Sequence, residues 1–173
     1  MMFVPDINHL CDMILAHGKN NDATYAIPCI AYGGDASCKD DDGRNAVHHF
    51  AIHGNMEAIQ ALADDDASYF FVSDNFGKTP LLILAEGGHT DFLIKFLKDY
   101  PSYGLSSNEY PQQSVAGALA AHGHAQFVID ELLPQCPEVL NEPVVAMVMA
   151  SEAIKPTDKI KALRALSLAG FKA

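Results

Sequence analysis

Residues 74–97 read DNFGKTPLLILAEGGHTDFLIKFL, and this stretch decides the fold. It contains a turn at Gly77, a first helical run that starts after Thr79, a second turn at Gly88 and a second helical run. These parts form one helix–turn–helix repeat. Such a repeat cannot bury its apolar side alone, because each repeat of a solenoid is covered by its neighbours. Related repeats are therefore expected one period away in the chain.

Copies of this pattern occur on both sides of the central stretch. The upstream copy at 40–62, DDDGRNAVHHFAIHGNMEAIQAL, aligns Asp40, Gly43, Ala51, Gly54 and Glu57 with Asp74, Gly77, Ala85, Gly88 and Asp91. The downstream copy at 109–133, EYPQQSVAGALAAHGHAQFVIDELL, lacks the turn glycine and aligns Ala120, Gly123, His124 and Phe127 with Ala85, Gly88, His89 and Phe92. The period of about 34 residues indicates a helical repeat protein.

The central repeat resembles the ankyrin repeat family, because its turn and helix residues fall where an ankyrin repeat has them: Gly77, Thr79, Pro80, Leu81, Ala85, Gly88 and His89. The resemblance implies an all-α, ankyrin-like helical solenoid with about three recognisable repeats between irregular N- and C-terminal capping helix pairs. We expect a single domain over 1–173. It would comprise a cap at 1–39, repeats at 40–73 and 74–108, a divergent repeat at 109–141 and a cap at 142–173.

The sequence also predicts where the helices of the first full repeat begin and end. Asn45 stands at the capping position of an inner helix over 45–53, and Gly54 ends that helix because glycine adopts the left-handed conformation of a helix terminus. An outer helix is expected over 56–63. In the N-terminal cap, Pro28 predicts a second helix that starts late, is kinked or begins near the proline itself.

The connection at 63–73 carries aromatic and acidic residues. Phe70 takes the apolar position of the neighbouring repeats, so Tyr69 and Phe71 are expected to alternate with it and point outward. A run of three acidic residues precedes them: Asp64, Asp65 and Asp66. Exposed aromatics beside acidic residues are typical of an interface anchor with a charged rim. Packing of the aromatics on the next turn is the open alternative.

The formal net charge of −11 repels nucleic acid and anionic membranes and favours a basic protein partner. The segment 155–173 is basic instead and predicts a final capping helix, with membrane contact or a secretion signal as open alternatives. No apolar run reaches the roughly 18 residues that span a bilayer. The N-terminus MMFVPDINHL lacks the basic region of a signal peptide, so we expect a cytoplasmic protein with reduced cysteines.

Eight histidines raise the question of a metal site. His49 and His53 lie one helical turn apart, but the sequence places no third ligand, so we predict no metal and no cofactor. His17, His53 and His122 each precede the glycine that ends an inner helix, which predicts a histidine ladder along the concave surface. His48 matches the family's structural histidine. The resemblance implies that this side chain forms a hydrogen bond with the neighbouring turn. No nucleophile motif or distinctive carboxylate pair is present, so we expect no enzyme.

The resemblance implies a module that binds another protein through a concave groove and hairpin tips. The predicted groove contacts are Asn45, His49, Ile52, His53, Glu86 and His122, and the predicted apolar anchors are Tyr69 and Phe71. Two alternatives stay open. Short, divergent ankyrin proteins that end in a basic helix resemble bacterial effectors delivered into a host cell, and the groove histidines are compatible with a metal-binding or enzymatic protein. The sequence does not predict the oligomeric state.

Overall fold

The computed structural model describes residues 7–100, 114–132, 135, 155–157, 159–160 and 164. Two compact units divide the chain, Met1–Ile83 and Leu84–Ala173. The expectations for the start of the divergent repeat, for most of the predicted C-terminal cap and for most of the basic terminal segment lie outside the described residues. The predicted boundaries of caps and repeats stay predictions.

The first unit is built from two helix pairs. These are α1 (Ile7–Lys19) with α2 (Ala23–Ala31), and α3 (Ala46–His53) with α4 (Met56–Asp65), followed by a short 3-10 helix (Ala67–Phe71). The inner helices α1 and α3 pack together, as do the outer helices α2 and α4. Large side chains fill the space between them: Ile14, Phe50, Ile59, Leu62 and Phe70 are fully buried. The described residues are helical or irregular and contain no strand, in agreement with the predicted all-α class.

The second unit continues the pattern, and the division between the units falls inside α5 (Pro80–Glu86). Next come α6 (Thr90–Asp99) and α7 (Val115–Leu119), which widens into a π-helical turn (Ala120–His124). A kink at Gly123, where φ is +91°, leads into α8 (Ala125–Phe127) and a second π-helical turn (Val128–Leu132). The last of these turns packs on α6.

Three inner helices begin in the same way, at positions 34 or 35 residues apart. A polar side chain accepts a hydrogen bond from the backbone N–H three residues later, which satisfies a donor that the first helical turn leaves free. The pairs are Asn45 with His48 at 3.0 Å, Thr79 with Leu82 at 3.2 Å, and Ser114 with Gly117 at 3.0 Å. The predicted capping role of Asn45 is confirmed.

The predicted helix ends agree with the structure in the first full repeat and differ elsewhere. Gly54 closes α3 in the left-handed conformation, as expected. The outer helix α4 reaches Asp65, two residues beyond the prediction. Helix α2 begins at Ala23 and runs through Pro28, so a start near the proline is wrong. Its start is fixed by Asp22, whose side chain accepts from the Thr24 N–H.

Two five-residue turns, the Asp40 turn (40–44) and the Asp74 turn (74–78), have the same internal hydrogen bonds. In each, one carboxylate oxygen accepts from the backbone N–H groups two and four residues later. The distances are 3.1 and 3.0 Å from Asp40 to Asp42 and Arg44, and 3.0 and 2.8 Å from Asp74 to Phe76 and Lys78. The other oxygen of Asp40 pairs with Lys19 Nζ at 3.1 Å, and that of Asp74 pairs with Arg44 Nε at 3.2 Å.

Contacts between successive repeats of the first unit recur at a separation of 34 residues. They are Lys39 Nζ to Ser73 O at 3.0 Å, Asn55 Nδ2 to Asn21 Oδ1 at 2.8 Å, His53 Nε2 to Lys19 O at 3.2 Å and Asn75 Nδ2 to Asp41 O at 2.9 Å. Equivalent positions of adjacent repeats therefore lie side by side. The separation between the contacting residues equals the period seen in the sequence.

The expectation that the cysteines are reduced is wrong for two of them. Cys11 on α1 and Cys38, just before the Asp40 turn, form a disulfide with their Cα atoms 5.7 Å apart. The two residues are 27 positions apart and match no spacing motif, so only the fold brings them together. Cys29 is free and buried, as expected, and burial raises the pKa of its thiol.

We predict that Gly43→Ala destabilises the first unit through two separate effects. Gly43 has φ +74°, a conformation that costs an L-residue about 1 kcal/mol. An added Cβ would also lie 2.5 Å from Asn75 Oδ1 and 3.0 Å from the Asn75 backbone nitrogen. The free energy of unfolding, measured by urea denaturation, should fall by more than the conformational cost alone.

Two controls separate these effects. Gly88→Ala introduces the same backbone cost at φ +76°, where the new Cβ meets only ordinary contacts at 3.6 Å or more. Asn75→Ala removes the crowding oxygen and should recover part of the loss in the Gly43→Ala background. Equal losses for Gly43→Ala and Gly88→Ala, without recovery in the double variant, would show that the two turns are not in close contact.

Candidate functional site

The exposed end of α3 is the first part of the candidate binding surface. Ile52 is 49% exposed, although its helix neighbours Phe50 and Ala51 are buried. His53 follows at the last position of α3 and is exposed, with Nε2 3.2 Å from Lys19 O. This helix end therefore presents an aliphatic and an imidazole side chain on a backbone that the core holds in place.

The three histidines of the predicted ladder lie beside different neighbours. In the first unit, His53 reaches back to the end of α1, while His17 lies 3.3 Å from Asp22 and stacks on Tyr25 with ring centroids 5.2 Å apart. In the second unit, His122 is exposed, and a Cβ added to Gly88 would lie 3.6 Å from its ring. Thus His53 and His122 each lie beside the preceding inner-helix end of their own unit. That the three histidines act together as one ladder stays a prediction.

Two of the predicted groove residues have structural partners. Asn45 is fully buried: its side-chain oxygen caps α3, and its Nδ2 donates to Tyr69 O at 3.0 Å. Its prediction as a binding contact is therefore wrong, because no part of the side chain reaches the surface. His49 is half-buried and lies 2.9 Å from Asp40 Oδ2 through its Nε2 atom. Only 12% of its side chain is exposed to a partner.

Asp40 collects several donors at one carboxylate. Burial by itself would raise its pKa, but hydrogen bonds from the Arg44 backbone N–H, Lys19 and His49 outweigh that effect and lower the pKa to about 2. Asp40 is therefore ionised at neutral pH, and it holds the end of α1 and the face of α3 against the turn. Its role is structural.

His48 links α3 to the Asp74 turn from inside the core. Its Nδ1 accepts from the Asn45 backbone N–H at 3.1 Å, so its Nε2 carries the proton and donates to Lys78 O at 3.1 Å. The role that the resemblance implied is thus seen in the structure. Burial lowers the pKa of His48 to about 4, although the Lys78 carbonyl and Asp74 oppose this shift.

The aromatic connection differs from its prediction. Residues 67–71 form a 3-10 helix rather than an extended alternation, because the Asp66 carboxylate caps it at the Ser68 N–H. Phe70 is buried as expected, whereas Tyr69 and Phe71 are half-buried instead of fully outward. The Tyr69 hydroxyl donates to Asp65 at 3.1 Å, and burial together with this bond raises the pKa of Tyr69 to about 12. Each of these two anchors therefore exposes only part of its side chain.

Sequence reasoning missed the most exposed phenylalanine of the described residues. Phe76 is 68% exposed at the tip of the Asp74 turn, and the Arg44 guanidinium carbon lies 5.4 Å from its ring centroid. The sequence contains a signal for this exposure. Phe76 stands between Asn75 and Gly77 in a tight turn, and it aligns with Asp42 of the preceding repeat. A charged residue at the aligned position indicates that this position of the turn is exposed to solvent, so Phe76 is expected to lie outside the core.

Glu86, the remaining predicted contact, lies in the second unit and is exposed at the end of α5. Within the described ranges, no three His, Cys, Asp or Glu side chains come together in a group that could hold a metal ion. His49 and His53, the predicted chelating pair, turn to different partners, Asp40 and the Lys19 carbonyl. None of the helices in the described part has both the length and the apolar character needed to cross a membrane.

Helix pairs at a fixed period, joined by equivalent turns, define a helical tandem-repeat protein. The chain belongs to the ankyrin repeat family, since the family model described as ankyrin repeats in three copies matches residues 13–107. This match includes most of the segment predicted as the N-terminal cap and ends before the divergent repeat. Proteins of this family typically act as non-enzymatic modules that bind other proteins.

Two mammalian proteins are similar to this chain over part of their length. The protein fem-1 homolog A-like of Mus musculus is 26% identical over 160 residues, which are 90% of this chain and 24% of that protein. The protein fem-1 homolog A of Rattus norvegicus is 26% identical over 135 residues, 76% of this chain and 20% of that protein. The chain thus spans about a quarter or less of the length of these relatives.

We predict that His48 makes stability depend on pH between about 6.5 and 4. Its pKa is lower in the folded protein than in the unfolded chain, so the unfolded state binds more protons in this range. The stabilisation is complete above pH 6.5 and is lost as the pH falls toward 4, with a total of roughly 3 kcal/mol. Urea denaturation at a series of pH values measures it.

His48→Gln is the matched control, because glutamine can donate to Lys78 O but does not titrate. The other histidines remain in both proteins, so the difference between the two pH profiles isolates His48. The variant should lose most of the decrease between pH 6.5 and 4. Parallel profiles would show that His48 is protonated as easily in the folded as in the unfolded state.

Proposed function

We propose that this chain binds another protein through the exposed end of α3 and the tip of the Asp74 turn. The observation that carries the proposal is the exposure of Ile52 on a helix whose other apolar side chains form the core. A single exposed apolar residue is common on any surface. Here it stands beside His53, on a rigid element of a family whose members bind proteins.

The proposed contacts differ in how much surface they offer. Ile52, His53 and Phe76 are exposed and would supply most of the buried area in a complex. The half-buried residues His49, Tyr69 and Phe71 would add smaller contacts. Glu86 and His122, exposed in the second unit, are proposed as further contacts. Aromatic and aliphatic anchors inside a polar rim account for most of the affinity in many protein interfaces.

The net charge of −11 favours a partner with a basic surface, since opposite charge accelerates encounter. Association should then slow as salt screens the attraction. Charge affects the rate of association and the choice of partner. The apolar contacts determine how long the complex lasts.

The experiment compares partners captured from an extract of the source cells by immobilised wild-type protein and by an Ile52→Ala, His53→Ala, Phe76→Ala triple variant. These side chains lie outside the core, so the variant should still unfold cooperatively. Each partner that is captured by the wild type and identified is then titrated against both proteins. Affinity should fall by about tenfold or more, as when a central apolar contact is removed.

Glu57→Ala, at an exposed position of α4, is the control for nonspecific effects of surface substitution. It should capture the same partners with the same affinity. Unchanged binding by the triple variant would contradict the assignment of the surface. Failure of the wild-type protein to capture any specific protein would contradict the proposed function itself.

A further inference from the structure

An open cleft lies between the outer helices α2 and α4 of the first unit. Its volume is about 280 Å³, and its lining comes from equivalent positions of the two repeats: Ile27, Ile30 and Ala31 on α2, and Ala61, Leu62, Asp64 and Asp65 on α4. Ile52 and His53, which carry the function proposed above, belong to the inner helix α3. The cleft is therefore a second surface of the same unit.

The floor of the cleft is apolar and incompletely covered. Leu62 is fully buried, but Ile27, Ile30 and Ala61 are only half-buried, and Ala31 is exposed. Alanines on both walls leave room that larger side chains would fill. A cavity of about 150 Å³ holds a benzene molecule, so the cleft has space for roughly two aliphatic side chains. Covering this surface would be favourable, because it removes apolar area from water.

One end of the cleft is strongly acidic. Helix α4 finishes with Asp64 and Asp65, Asp66 follows directly, and the last turn contains no basic residue. The carbonyl end of a helix carries partial negative charge and normally favours cations. These carboxylates therefore stand in an unfavourable field. A positive charge brought to this end would be stabilised by both the carboxylates and the helix.

The contacts that these aspartates make do not neutralise them. Asp64 accepts from Gln60 Nε2 at 2.8 Å, and Asp65 accepts from the Tyr69 hydroxyl at 3.1 Å. Asp66 caps the following 3-10 helix. Among the ion pairs found in residues 7–100 and 114–132, none involves any of the three. Asp64 and Asp65 thus line the cleft as carboxylates that can form ion pairs with a basic partner.

We propose that this cleft docks a basic amphipathic helix of a partner protein. Two aliphatic side chains one helical turn apart would pack against Ile27, Ile30 and Ala61. Lysine or arginine side chains at the adjoining turn would pair with Asp64 and Asp65. Helices recognised in this way present apolar anchors three or four residues apart. The cleft shares no residue with the proposed α3 surface, so either binding site can fail its test without the other.

The probe is a synthetic peptide of about 15 residues, four helical turns long, with leucine along one face and lysine on the rest. Titration into the isotope-labelled full chain is followed by amide chemical shifts. The shifts should concentrate on α2 and the second half of α4, and binding should weaken with added salt. A leucine–glutamate peptide of the same pattern should leave these residues unchanged. A scrambled leucine–lysine peptide should bind more weakly, because its apolar side chains are dispersed.

Asp64→Asn combined with Asp65→Asn tests the charge while keeping acceptors for Gln60 and Tyr69. Affinity for the leucine–lysine peptide should fall by about tenfold, the effect of losing two partly exposed charge pairs. Asp99→Asn is the matched control, since Asp99 is an exposed aspartate at the end of α6, 34 residues after Asp65. It should bind the peptide like the wild type.

Ala61→Leu tests the cavity by filling it from within and should reduce binding without changing the charge. Ala31→Leu, at an exposed position on the opposite wall, makes the same test if the first variant does not fold. Three results would overturn the proposal: no binding of the leucine–lysine peptide, shifts on α3 in place of α2 and α4, or equal affinity for the lysine and glutamate peptides.

Discussion

The carboxylates of Asp40 and Asp74 organise the first unit. Each folds its own turn by accepting two backbone N–H groups, and each uses its second oxygen to hold a cationic side chain from an earlier part of the chain. In each turn, the local fold and the contact with an earlier part of the chain therefore depend on the same carboxylate. Hydrogen bonds to a charged acceptor are stronger than neutral ones, so short turns at the surface acquire definite positions. The helix pair between the two turns, α3 and α4, is thereby held in register.

This arrangement leaves different kinds of surface on the two helix layers of the first unit. On the inner helix α3, the buried Asn45 and His48 fix the beginning of the helix, and Ile52 and His53 are exposed at its end. On the outer helices, small residues leave an apolar cleft with an acidic end. The position of the α3 surface depends on the cap at the start of that helix. The shape of the cleft depends on how α2 and α4 pack together. The two surfaces that are proposed to bind partners therefore share no residue.

Much of this fold could be predicted because it depends on residues close in sequence. The cap at Asn45, the left-handed Gly54, the buried Phe70 and the role of His48 all follow from position within a repeat. The errors have different causes. The Cys11–Cys38 disulfide needs contact across 27 residues, and no local pattern announces it. Strand alternation predicts an extended connection at 63–73, whereas the cap at Asp66 starts a 3-10 helix there.

The candidate site was harder to predict than the fold. Position in a repeat identifies which residues lie on an inner helix, but not whether neighbours have already engaged them. Asn45 and His49 have suitable positions, yet Tyr69 and Asp40 occupy their polar atoms. Helical periodicity does not identify Phe76, because this residue lies at the tip of a turn. The cleft between α2 and α4 arises from the absence of side-chain volume at two alanines, and its shape appears only when the helices are placed together.

Hydrogen exchange of the turn amides tests the central role of Asp40 and Asp74 most directly. The N–H groups of Arg44 and Lys78 donate to these carboxylates, and that of Asn75 donates to Asp42 O at 2.9 Å. If the turns fix the register of the repeats, these amides should exchange as slowly as those inside α3, because they open only when the unit unfolds. Exchange at the rate of an unstructured peptide, while α3 stays protected, would contradict this account.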